Sequence, residues 1–84
     1  MNTQNSYLED ERAEMRKKGY ITVAEAARMA GVHTSVVYKR INHKDSKIKV
    51  QVGANARAKY VRLSDWESYV EDRKERLKAA LEAL

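Results

Sequence analysis

The side chains that could perform catalysis or bind a metal are few and scattered in this 84-residue chain. The two histidines, His33 and His43, lie ten positions apart with Asp45 beyond them, which matches no familiar metal-ligand spacing. Glu71 and Asp72 precede a run of mixed charges, which is typical of a solvated helix face rather than an acid/base pair. The three glycines are dispersed, so no glycine-rich loop could cradle a phosphate. We therefore expect no enzymatic activity, no metal site and no cofactor.

Composition indicates one small domain that does not depend on disulfides. Apolar residues make up 43% of the chain and cysteine is absent, so an oxidising compartment is not needed. Apolar runs are far too short to span a bilayer, and residues 1–15 lack the apolar region of a signal peptide. We expect a cytoplasmic protein without membrane contact.

The formal charge of +5 is concentrated in the middle of the chain. Residues 1–19 are balanced, residues 20–63 carry nine basic and two acidic side chains, and residues 64–84 carry four basic and six acidic ones. A soluble protein has no need for this separation. A basic centre favours a polyanionic partner.

Three patterns of Ser or Thr followed three residues later by Glu predict helix starts. They are Ser6/Glu9, Thr22/Glu25 and Ser64/Glu67. In each, the hydroxyl can accept from the third helical N–H while the carboxylate reaches back to the N–H of the cap. The first helix, over about residues 7–18, shows weak periodicity and is expected to be a surface appendage that ends at Gly19.

Two short helices are predicted on either side of Gly31. The first has its small apolar residues on one face, at Val23, Ala26, Ala27 and Ala30. Gly31 can adopt the positive φ that ends a helix, and either His33 or Thr34 can cap a second helix running to about Asn42. Small residues let the two helices cross closely, with Val32 and Val37 packed at the crossing.

The outward side of the second helix then presents groups that can donate hydrogen bonds. They are Thr34, Ser35, Tyr38, Lys39 and Asn42. Hydroxyl, phenol, ammonium and amide groups can contact phosphates and base edges in a DNA major groove, which is about 12 Å wide. A solvated helix face is the competing interpretation.

Alternating patterns after residue 46 predict two half-buried strands. Ile48, Val50 and Val52 share one face of the first strand. In the second strand Val61 and Leu63 share a face with Lys59 at its edge, opposite Tyr60 and Arg62. Residues 53–58 join the strands as a loose hairpin tip that carries Arg57.

A C-terminal helix is predicted from about residue 65, after the Ser64 cap, to the end of the chain. Trp66, Tyr69 and Val70 form a stripe that packs on the strands, with Trp66 in the core. Beyond them, further apolar residues lie out of reach of so small a domain, at Leu77, Ala80, Leu81 and Leu84. We expect another surface to cover them, from a second copy or from a partner protein.

The segments YITVAEAARMAGVHTSVVYKRI and YVRLSDWESYV resemble the small winged helix-turn-helix domains of the excisionase and MerR-type group. The pattern typical of that group is a strand-like lead-in, Thr-x-x-Glu-Ala-Ala, an Ala-Gly-Val turn, Val-Tyr-basic, and a wing that ends in basic-Leu-Ser-Asp. Two positions differ from it: His33 stands where Ser often caps, and Arg40 stands where an apolar or aromatic residue is usual.

The resemblance covers residues 20–71 and implies a mainly α fold with a small β-hairpin, a winged helix-turn-helix domain. The predicted helices on either side of it add an N-terminal helical appendage (1–19) and a C-terminal helical extension (72–84). The resemblance also implies double-stranded DNA as the partner, with the second helix in the major groove and the hairpin on the minor groove or backbone. The expected DNA-binding residues are Arg28, Thr34, Ser35, Tyr38, Lys39, Arg40, Asn42, Lys44, Arg57 and Lys59.

Two roles remain open at this stage. In one, the protein is a transcription regulator or recombination accessory factor whose C-terminal helices pair two copies. In the other, it is a DNA-organising or segregation adaptor that assembles along DNA and docks a partner protein through that helix. A pure protein-interaction module is disfavoured by the basic centre.

Overall fold

The computed structural model of the chain describes the backbone of residues 3–54 and 58–84 and, within these ranges, the side chains from residue 10 onward. Its helices and strands are α1 (Thr3–Lys17), β1 (Tyr20–Thr22), α2 (Val23–Ala30), α3 (Thr34–Ile41), β2 (Val50–Val52), β3 (Lys59–Arg62) and α4 (Leu63–Glu82). The protein is a mainly helical small domain with a three-stranded antiparallel sheet and a long C-terminal helix.

The sheet contains the predicted hairpin and one further strand. Its order is β1-β3-β2, with Ile21 of β1 and Val50 of β2 both opposite Val61 of β3. The N–H of Gly53 donates to the carbonyl of Ala58 at 2.7 Å and closes the hairpin. Strand β1 was anticipated only as the strand-like lead-in of the family pattern, because its three residues are too few to show an alternation.

The core lies between one face of the sheet and helices α2, α3 and α4. Its buried members are Ile21, Val23, Ala26, Ala27, Val37, Ile41, Val61, Trp66 and Val70. Trp66 is fully buried, and its indole N–H donates to the carbonyl of Ala26 at 2.8 Å. The prediction that Trp66 belongs to the core is confirmed, and its hydrogen bond fixes α4 against α2.

Helix α1 packs on the opposite face of the sheet at β1 and β3, so the predictions of a half-buried second strand and of a surface appendage are wrong. Strand β2, in contrast, leaves Gln51 and Val52 exposed. Tyr60, expected on the outer face, is only 3% exposed, and its hydroxyl donates to Glu11 Oε1 at 2.6 Å. Met15 of α1 is buried as well. The weak periodicity of α1 concealed this packing, since polar atoms of Glu11 make much of the contact.

Only one of the three predicted helix caps is confirmed. The N–H of Glu25 donates to Thr22 Oγ1 at 3.1 Å, and the N–H of Thr22 donates to the Glu25 carboxylate at 3.5 Å. Ser6 lies inside α1, because no glycine or proline before it stops the helix from beginning at Thr3. Ser64 lies inside α4, because β3 runs directly into the helix and the N–H of Leu63 donates to the carbonyl of Gly19 at 2.8 Å.

The last turns of α4 extend away from the core. Leu77 is 57% exposed, Leu81 70% and Leu84 fully exposed, and Ala80 is exposed beside them. These side chains have no cover from the described part of the chain. Neither α4 nor any other helix within the described residues is long and apolar enough to cross a membrane.

Candidate nucleic-acid interface

Helices α2 and α3 cross at a corner built from small residues and a glycine. Ala26 and Ala27 of α2 are buried, and Val37 of α3 has no exposed surface. Gly31 adopts φ 65°, and the N–H of Val32 donates to the carbonyl of Ala27 at 3.0 Å. The predicted positive φ and close helix crossing are confirmed. They fix which side of α3 faces outward.

His33 caps α3, which resolves the choice between His33 and Thr34. Its Nδ1 accepts from the N–H of Ser35 at 3.1 Å, and the Ser35 hydroxyl lies 3.1 Å from the same atom. An imidazole can therefore replace the more usual hydroxyl at this position. The cap also holds the Ser35 side chain at the exposed start of α3.

The outward side of α3 carries the polar residues that the sequence predicted. Ser35, Tyr38, Lys39 and the C-cap Asn42 are exposed, and Thr34 is half-buried. The sequence reasoning did not single out Val36, which is 36% exposed on the same helix. An exposed apolar side chain among donors can contact the methyl group of a thymine.

Arg40 lies apart from these residues, against α4. Its guanidinium carbon is 4.8 Å from the centroid of the Tyr69 ring, a cation–π contact, and the side chain is half-buried. Asp45, Asp65 and Asp72 line the same cleft. Arg40 thus holds α3 on α4, which explains a charged residue at a position that is usually apolar.

The hairpin meets the end of α3 through Lys59. Its Nζ donates to Asn42 Oδ1 at 3.3 Å, which links β3 to the C-cap of the helix. Lys59 also shares a cleft of about 200 Å³ with Tyr38. The structure therefore brings the loop end of β3 and the outward side of α3 together, whereas Arg57 lies outside the described residues.

Glu11 fastens α1 to β3 and to the loop that follows β2. Its carboxylate accepts from the Tyr60 hydroxyl at 2.6 Å and from the N–H of Ala54 at 3.0 Å. The hydrogen bond from Tyr60 lowers the pKa of Glu11 most, and the one from the N–H of Ala54 lowers it further. The pKa of Tyr60 is raised to about 12, mainly by burial. The hydrogen bond to Glu11 and the negative charge of Glu11 raise this pKa further, whereas the Arg12 cation lowers it.

Arg12 and Arg16 of α1 are basic residues beside α2 that the sequence reasoning missed, because it summed the charge of residues 1–19 to zero. Both line a cleft of about 340 Å³ that also contains Arg28. Arg16 pairs with Glu25 across the helices. Burial raises the pKa of Glu25, but bonds from Thr22 and the Arg16 cation outweigh it and the net shift is downward.

The remaining predicted DNA-binding residues are also at the surface. Arg28 is exposed on α2, and Lys44 is exposed in the turn after α3. Lys44 lines neither of the two clefts beside α2, and its place on the candidate surface is next to the C-terminal end of α3.

The histidines are engaged in local backbone contacts. His33 caps α3, and His43 Nδ1 accepts from the N–H of Asp45 at 3.2 Å. In the described part of the chain no three His, Cys, Asp or Glu side chains are grouped so that they could hold a metal ion.

No protein-family model, curated protein or solved structure matches the chain.

Proposed function

We propose that this protein binds double-stranded DNA as a winged helix-turn-helix domain. Helices α2 and α3 form the helix-turn-helix, α3 enters a major groove, and the β2–β3 hairpin lies on the adjacent minor groove or backbone. The observation that carries the proposal is the hydrogen bond from Lys59 to Asn42, beside the exposed Tyr38 and Lys39. It joins the hairpin to the outward side of α3 in one basic surface.

The size and chemistry of α3 support this arrangement. Its eight residues span about 12 Å at about 1.5 Å per residue, and a helix fits the major groove of B-DNA. Lys39 can donate to base edges, and the Ser35 hydroxyl oxygen, whose proton is directed to His33, can accept from them. Thr34, Tyr38 and Asn42 stand beside these residues with hydroxyl and amide groups for bases or phosphates.

Phosphate contacts are proposed for basic residues around the helix. They are Arg28, Lys44, Lys59 and Arg57, the last of which lies outside the described residues. The contact of Arg40 with Tyr69 supports a different role for Arg40, which is to hold α3 at its angle on α4. Its guanidinium then affects binding through that angle rather than through a base.

The biological role proposed first is a cytoplasmic transcription regulator or recombination accessory factor, working by binding alone without a catalytic step or cofactor. The alternative is an adaptor that assembles along DNA and docks a partner protein. The exposed Leu77, Leu81 and Leu84 support either version, because they offer an apolar surface to a second copy or to another protein.

The proposal is tested by the salt dependence of duplex binding. We expect affinity for a fluorescein-labelled duplex of about 20 base pairs, two helical turns, to fall steeply between low and moderate salt. Three or more phosphate contacts give a log–log slope of about −2.7 or steeper, since each contributes about −0.9. Fluorescence anisotropy measures this directly, and a flat response would rule the proposal out.

Lys39 and Lys59 should have separable effects on specificity. The binding free energies of a selected and a random duplex differ, and we expect Lys39→Ala to reduce that difference by about 1 to 3 kcal/mol, because a base contact discriminates between sequences. Lys59→Ala should weaken both duplexes alike, because a phosphate contact carries no sequence information.

Binders selected from a random duplex library supply the specific probe for that comparison. Lys78→Ala, an exposed lysine far along α4, is the matched control. Equal losses on both duplexes for Lys39→Ala would contradict the assignment of Lys39 to base edges.

A further inference from the structure

We propose that α1 is a third DNA-contacting element, in which Arg12 binds the phosphate backbone beside the groove that α3 enters. The inference rests on the proposed function and extends it to a segment expected to be a neutral appendage. Arg12 lies where α1, the start of α2, the outward side of α3 and the loop end of β3 meet. Within the described residues, the other cation that lines this junction is Lys59 of β3.

The zero net charge of residues 1–19 conceals two differently charged sides of α1. Asp10, Glu11 and Glu14 line the groove against β2 and the hairpin. Arg12 and Arg16, one helical turn apart, line the clefts against α2. The acidic side is turned toward the hairpin loop at Ala54, whereas the basic side is turned toward α2 and α3.

The first cleft is suited to an anion. Its volume is about 200 Å³, and no carboxylate is among its lining residues in the described part of the chain. Of its polar side chains, Thr22 is engaged by Glu25 and the Tyr60 hydroxyl by Glu11. Arg12, Lys59 and Tyr38 are left to face an occupant, and Lys59 retains donors beyond the one given to Asn42.

The second cleft extends this surface along α2. Among the described side chains that line it, Glu25 is the one carboxylate, and its charge is balanced by Arg16. Arg12 and Arg28 therefore give this cleft a net positive charge. Because Arg12 lines both clefts, it stands between them, where a continuous phosphate backbone crossing the two would pass.

The position of Arg12 is fixed by its neighbour in the chain. Glu11 is held by Tyr60 of β3 and by the N–H of Ala54, so α1 cannot slide along the sheet without breaking both hydrogen bonds. The backbone of Arg12 is therefore held beside β3 before any ligand arrives. A preorganised cation loses less conformational entropy on binding than one on a loose segment.

The test compares Arg12→Ala with Lys17→Ala on a fluorescein-labelled duplex of mixed sequence. Lys17 is the matched control because it is a base on α1 that lines neither cleft, and its substitution removes the same charge. We expect Arg12→Ala to weaken binding several-fold and to make the log–log salt slope shallower by about 0.9, the value for one phosphate. Lys17→Ala should leave the slope unchanged, and Arg12→Lys should restore it.

The outcomes separate this inference from the proposed function. If the wild-type protein shows no salt-dependent binding, the proposed function is wrong and this inference falls with it. If the wild type binds but Arg12→Ala and Lys17→Ala behave alike, α1 is not a contacting element although the DNA proposal stands. Circular dichroism checks the fold, and if Arg12→Ala is unfolded, Arg12→Gln replaces it, with an unchanged slope again overturning the inference.

Discussion

Glu11 is the residue at which the first helix and the hairpin are joined. Its carboxylate accepts from Tyr60 and from the N–H of Ala54. Gly53 lies so close that a Cβ there would collide with the carboxylate and come within 3.0 Å of Tyr60 Cε2. Because these partners are more than forty positions away along the chain, no local pattern could predict the contact.

Replacing Gly53 should break this junction. In Gly53→Ala the new methyl group displaces the Glu11 carboxylate, the Tyr60 hydroxyl loses its acceptor, and we expect the free energy of unfolding to fall by about 1 kcal/mol. Gly31→Ala is the control, because Gly31 has φ 65° and a Cβ added there would meet no neighbour within 4 Å. The free energy that this substitution costs, about 1 to 2 kcal/mol, therefore comes from the backbone conformation alone. Urea denaturation measures both variants.

Acid separates the two glycine variants. The hydrogen bonds from Tyr60 and Ala54 lower the pKa of Glu11 below its ordinary 4.5, so they stabilise the fold above about pH 4.5. That contribution is lost as the pH falls through the folded-state pKa. Wild type and Gly31→Ala should both lose it, whereas Gly53→Ala should lose less because its contact is already broken. The same acid loss in both variants would refute a stabilising contact at Glu11.

The elements that the sequence predicted well are those specified by neighbouring residues. The limits of α2 and α3 follow from the Thr22 cap and from Gly31, which act within a few positions. Strands β2 and β3 follow from an alternation that is equally local. Such signals depend little on the rest of the fold, so they can be read from a single chain.

The elements that the sequence predicted poorly depend on distant contacts. The start of α4 is one residue before Ser64 because the backbone of Gly19 accepts from Leu63. The role of α1 depends on Tyr60, whose burial is decided by the helix that covers it. A capping pattern or an alternation therefore predicts that a helix or strand forms. Whether a second helix packs on its outer face depends on residues elsewhere in the chain.

The residues of the candidate surface also differ in whether local patterns or distant contacts decide their positions. The outward side of α3 was predictable because Val37 and Ile41 must face the core. The contact of Arg40 with Tyr69 could not be predicted, because Tyr69 lies on another helix. Arg12 was missed because charge was summed along α1, although its two sides face different neighbours.

At the scale of the whole molecule, the long C-terminal helix makes the protein elongated, with extents of 56 × 26 × 22 Å. The apolar residues of its last turns are exposed, at Leu77, Ala80, Leu81 and Leu84. No described part of the chain covers them. Pairing of two such helices would hold two copies of α3 together, as needed for half-sites about 34 Å apart on one face of DNA.

We expect the protein alone to dimerise in a concentration-dependent way, and Leu77→Glu with Leu81→Glu to weaken the dimer more than tenfold. Each leucine is worth about 1.5 to 3 kcal/mol on full burial, and about 1.4 kcal/mol is a tenfold change in the dissociation constant. Sedimentation equilibrium measures this, with Lys78→Glu as the control, an exposed neighbour given the same substitution. A monomer that clusters only on DNA would instead support the adaptor, because its copies would then meet along the duplex. A dimer that the leucine substitutions leave intact would show that another surface pairs the copies.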